Sequence, residues 1–201
     1  MGRLLAWRVH PGQTAGMTII ETMAPFVGSW QGHNRLRFMP TDEYQESAAT
    51  ASVKVTAGEF VTIEYAWEHE GKPQNGLLLL GSGPVSGSAA GAGSGDSETG
   101  DSETDGETGD GETGVASGTG AVGVWVDSFH SGPEWMNFAG DIGVDGVVRL
   151  TGWYAAPSGP DWGWQIHVEP GDGNGGRITM HNMVPGHEPY QVVEAVYRRH
   201  A

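Results

Sequence analysis

The sequence predicts an all-β fold: about ten antiparallel strands closed up-and-down into one barrel, interrupted by an acidic loop. Three observations predict it. Runs rich in Val, Ile, Thr and aromatic residues alternate in polarity and are separated by short Gly, Pro, Asp and Asn clusters. Trp30 near the first run and Arg199 in the last can stack where first and last strands meet. One tract, 81–120, is low in complexity and has no apolar face.

The expected strands are 27–38, 44–55, 59–69, 75–80, 122–128, 135–140, 147–154, 162–169, 177–183 and 190–199. Chain-breaking groups lie between them, among them Met39-Pro40-Thr41-Asp42, Ala57-Gly58, Glu70-Gly71-Lys72-Pro73, Ser131-Gly132-Pro133, Asp145-Gly146 and Pro185-Gly186. In the first strand Trp30, Gly32, Asn34, Leu36 and Phe38 share one face, assigned inward, and His33 falls on the outer one. In the third, Val61, Ile63, Tyr65 and Trp67 oppose Thr62, Glu64 and Glu68. In the eighth, Trp162, Trp164, Ile166 and Val168 oppose Gly163, Gln165 and His167. Trp125 shares a face with Asp127, opposite Val122, Val124 and Val126. Both faces are apolar enough that alternation leaves open which one points inward. A short helix is expected near 18–25, inside an N-terminal extension of residues 1–24.

The barrel domain is expected to span 25–200 around the 81–120 insertion. Eight acidic residues crowd that tract: Asp96, Glu98, Asp101, Glu103, Asp105, Glu107, Asp110 and Glu112. It cannot offset its ordering entropy by burial, so it reads as a disordered, solvated loop. Its acids drift in register, whereas calcium loops need carboxylates at fixed positions.

Composition excludes several functions. The chain has no cysteine, so disulfides, thiolate nucleophiles and Cys-ligated metals are ruled out. The formal net charge is −15, which repels phosphate backbones and anionic membranes. Apolar runs are short, such as Leu77 to Leu80, against the roughly 20 residues of a spanning helix. Leu4-Leu5-Ala6-Trp7, between Arg3 and Arg8, is shorter than the roughly 7–15 apolar residues of a secretory signal. The chain therefore reads as cytoplasmic.

Gly28-Ser29-Trp30-Gln31-Gly32 near the start and Tyr197 and Arg199 near the end resemble the signature of the calycins, the lipocalins and fatty-acid-binding proteins among them. With Gly76 to Gly81 and Val124-Trp125-Val126-Asp127-Ser128, the chain is similar to one bacterial family of calycin-like barrels, a domain family of unknown function. The resemblance covers about 25–80 and 120–200, and the acidic tract has no counterpart in it. It implies a barrel closed through Trp30, Tyr197 and Arg199. The related nitrobindins hold haem through a histidine near the C-terminus. Here Val192-Val193-Glu194-Ala195 carries none and His200 lies past the strand, so no cofactor is expected.

The candidate ligand-binding residues are Tyr65, Trp67, Trp125, Trp164, Met180 and Asn182, with Phe38 at an end. Apart from Trp125, whose face is left open, they are the large inward groups of a barrel whose interior exceeds what its own side chains easily fill. His130, His167, His181 and His187 show no metal-ligand spacing, and no metal is expected. Asp127, Ser128 and His130 suggest a hydrolase, but Asp127 and Ser128 face opposite ways on a strand and no Gly-x-Ser-x-Gly elbow exists. A buried Asp127 or Glu64 would have a raised pKa and support proton transfer. The leading expectation is a non-enzymatic protein binding a small hydrophobic molecule. The alternatives are a barrel isomerase or cyclase, and a scaffold whose acidic loop meets a basic partner.

Overall fold

The computed structural model describes residues 17–83, 119–156 and 158–199. The centre of the acidic tract, residues 1–16 and His200 lie outside the described residues. A short helix, α1 (Ile19–Met23), and a 3-10 turn, Ala24–Phe26, lead into ten strands. These are β1 (Gly28–Leu36), β2 (Gln45–Thr56), β3 (Phe60–His69), β4 (Lys72–Gly83) and β5 (Thr119–Asp127). They continue as β6 (Met136–Ile142), β7 (Val148–Tyr154), β8 (Trp162–Glu169), β9 (Gly175–Met183) and β10 (Tyr190–Arg199). Each strand pairs antiparallel with its sequence neighbours, and β1 pairs with both β2 and β10, so the sheet closes into a barrel. Closure removes the exposed edges that an open ten-strand sheet would carry.

Local chemistry explains the turns. Between β3 and β4 only Glu70 and Gly71 form the loop, both at positive φ, the conformation of a two-residue type I′ turn. Lys72 and Pro73, read from sequence as part of the breaker, belong to β4 instead. Pro73 sits where β4 extends past its last partner on β5, so its missing N–H breaks no ladder there. The ladder also runs further than the residue pattern indicated, through Gly81, Ser82 and Gly83 and from Thr119 onward. On β10 a register shift between Gln191 and Val193 buries both Val192 and Val193.

The two barrel ends differ. At one, Thr18 caps α1 in a reciprocal box with Glu21, and Ile19, Met23 and Phe26 are fully buried as a plug. Trp30 lies against Phe26, ring centroids 4.8 Å apart, and donates its indole N–H to the Phe26 carbonyl at 2.7 Å. At the other end the β5–β6 connection folds inward. Trp125 and Asp127 face the interior with Ala121 and Gly123, which decides the face that alternation left open.

Candidate functional site

A small pocket lies in the interior toward the β5–β6 end. Its apolar wall is Trp67, Ile178, Met180, Val193 and Ala195, and its polar groups are Asn34, Tyr65, Asp127, His130 and Tyr197. The free space is about 20 Å³, room for about one water molecule.

Register assembles the polar cluster. Tyr65 on β3, Gly76 on β4 and Asp127 on β5 are successive lateral partners. Tyr65 reaches across Gly76 and donates its hydroxyl to Asp127 Oδ2 at 2.7 Å, while Trp125 donates its indole N–H to the Tyr65 oxygen at 2.7 Å. A Cβ at position 76 would lie 2.3 Å from the Tyr65 hydroxyl, so the crossing requires glycine. Past β5 the chain wraps around the same carboxylate. Asp127 Oδ1 accepts from the backbone N–H groups of Phe129 and His130, at 2.8 and 2.9 Å. His130 Nδ1 lies 3.0 Å from Oδ1.

Burial alone would raise the Asp127 pKa. The hydrogen bond and charge of His130, the Tyr65 hydroxyl and the His130 N–H outweigh it, and the carboxyl is held below its ordinary value. This corrects the expectation of a raised pKa: every acceptor bond of Asp127 favours its ionised form. Glu64 does not enter the site, since its side chain is outside the barrel beside Lys54. Tyr65 is pushed upward by burial and by the charge of Asp127, which keeps the phenol protonated as a donor.

The sequence candidates separate in space. Tyr65, Trp67 and Met180 line the pocket. Trp125 and Trp164 are buried beside it, stacked nearly parallel with centroids 5.9 Å apart. The Trp164 indole N–H is buried without a partner among the described residues. Asn182 is buried but engaged: its carbonyl accepts from Tyr154 at 3.3 Å and its amide donates to Tyr190 at 3.1 Å. Phe38 is not inward. It lies beyond the end of β1, 49% exposed, with its ring near His69 and Phe129. Tyr197 lines the pocket, while Trp30 and Arg199 meet at the α1 end.

The sequence reading left Asn34 and His130 out of the site. Asn34 was on an inward face but was not weighed as a polar group. His130 carried a signal: an Asp three residues earlier can fold its own loop back through an Asx turn. Ser128 points away and bonds Gln74 and Asn75, so the site has no serine nucleophile paired with His130. Among the described residues no three His, Cys, Asp or Glu side chains gather in metal-binding geometry. No described helix is long and apolar enough to cross a membrane.

No family model and no curated protein matches the chain. Among solved structures, the crystal structure of Rv2717c from M. tuberculosis is similar, with a TM-score of 0.51 and 15% identity over 90% of this chain and 97% of that one. At that identity the likeness concerns the fold alone.

Proposed function

We propose that this chain is a calycin-like barrel that binds a small, largely apolar molecule at the β5–β6 end of its interior. The observation that carries the reading is a pocket of apolar side chains with unspent hydrogen-bonding capacity. The Asn34 amide and the Tyr197 hydroxyl, both on buried residues, line it, and the Trp164 indole N–H beside it is buried without a partner among the described residues. An unmet buried polar group costs about 1–3 kcal/mol, which a ligand carrying a matching group relieves. Apolar walls with a few placed polar groups are the usual composition of a ligand site. The space is small, so a ligand larger than water enters by displacing the partly exposed His130 imidazole, which stands at the pocket wall. Asp127 is unsuited to act as a base because its acceptor sites are already engaged, which favours binding over carboxylate catalysis.

Tryptophan fluorescence tests this reading. Titration with fatty acids, haem and aromatic dyes should show saturable quenching by at least one class, weakened in Trp164→Ala and in Asn34→Leu. Absence of saturable binding across the panel would reject a ligand site and leave a filled structural barrel.

A further inference from the structure

His130 occupies a box of aromatic rings with a carboxylate at its base. Trp67 stacks on the imidazole with centroids 6.1 Å apart and 28° between planes. Trp125 lies at 5.8 Å, Trp164 at 5.4 Å and Phe129, edge-on, at 4.9 Å. Asp127 contacts Nδ1 at 3.0 Å and is itself almost wholly shielded, its side chain 1% exposed. Several electron-rich faces around one group, with a desolvated anion beneath it, form the arrangement that recognises organic cations.

We propose that this box is a binding site for a small organic cation, a quaternary ammonium or protonated amine, and that His130 is its built-in occupant in the unliganded protein. The proposal rests on the reading of the barrel end as a ligand site and names the ligand class. Rotation of the imidazole about its own side-chain bonds vacates the box without moving the loop backbone. Phe129 and His130 N–H groups and the Tyr65 hydroxyl would continue to hold Asp127 in place. An incoming cation then replaces the imidazole beside the carboxylate and meets the same three indoles. A neutral molecule of the same shape gains the apolar contact but leaves the Asp127 charge held only by the neutral Phe129 and His130 N–H groups and the Tyr65 hydroxyl, so the site discriminates by charge as well as size. An anionic ligand is repelled.

The matched probes are choline and its neutral isostere 3,3-dimethyl-1-butanol, titrated into the full-length protein by tryptophan fluorescence and calorimetry. Choline should bind at least about tenfold more tightly than the isostere. His130→Gly should tighten choline binding, because it removes the competing side chain, and should allow added imidazole to bind as well. Asp127→Asn should erase the preference for choline. If that variant fails to fold, the comparison of the two ligands on the unaltered protein and on His130→Gly still decides. Equal affinity for choline and the isostere would overturn the cation site while leaving ligand binding in the barrel intact. Binding of neither, in both the unaltered protein and His130→Gly, would overturn the cation site, whereas ligand binding in the barrel falls only if the fatty acid, haem and dye panel fails as well.

Discussion

Tyr65 and Asp127 are joined by a 2.7 Å hydrogen bond that spans an entire intervening strand, passing over Gly76. Two positions separated by 62 residues meet because the strand between them has no side chain at the crossing. Gly76→Ala should therefore cost about 2–4 kcal/mol, from overpacking and the loss of a charge-assisted bond. Urea unfolding measures it. An unchanged midpoint would show that the Tyr65 ring moves aside freely and that the crossing is not a constraint.

Closure at the other end depends on Arg199. Its guanidinium lies 4.7 Å over the Trp30 ring, and the two are directly paired across β1 and β10. Arg199 also donates to the carbonyls of Gly173 and Pro25, at 2.8 and 3.4 Å, tying the β8–β9 turn to the entry of β1. Trp30→Ala should cost about 3–5 kcal/mol, as expected for emptying a buried indole site. Arg199→Lys keeps the charge but loses the planar fork, and its cost should be well below that of Trp30→Ala. A thermal melt of both variants that ranks them the other way would reject the role assigned to the stack.

A pair of histidines on the outer wall should make stability depend on pH. His167 on β8 and His181 on β9 have ring centroids 4.9 Å apart. Burial lowers the pKa of His167, aided by the charge of Arg149. Burial also lowers that of His181, aided by the charge of His167. Both folded values lie below the ordinary value of about 6.5. Between them and about 6.5 the unfolded chain binds more protons than the folded one. Stability should therefore fall as pH drops through that window and level off once both states are protonated. His181→Gln should flatten the slope below about pH 6.5. A slope unaffected by that substitution would assign the dependence to other groups.

The acidic tract should be dispensable to the fold. Gly83 and Gly120 are paired at the end of the β4–β5 ladder, so a short Gly/Ser link can close the hairpin where residues 84–118 now connect it. Closing a shorter loop costs less chain entropy, so the melting temperature should stay the same or rise. A drop of several degrees would mean that the tract contributes contacts or binds a stabilising ion.

The sequence by itself determined the class of this protein. Ten β-rich runs, several with plain period-two patterning and with Gly- and Pro-bearing breaks between them, leave few alternatives to a meandering β-structure, and the inward set of β1 and β3 could be read directly. Alternation is a local signal, and it carried as far as local signals go. The pairing of strands settled the rest. On β5, one face carries Val122, Val124 and Val126 and the other Trp125 and Asp127, and hydrophobicity does not choose between them. Only closure of the barrel, with β5 held between β4 and β6, turned the tryptophan and the carboxylate inward. Phe38 was assigned from a periodicity that continued on paper after the ladder had ended. Asn34, His130 and Tyr197 met at one pocket because strands distant in sequence came into register and a loop folded back onto its own aspartate. Side-chain period belongs to a single strand, whereas register and closure depend on contacts among all ten, and the pocket is built from those contacts.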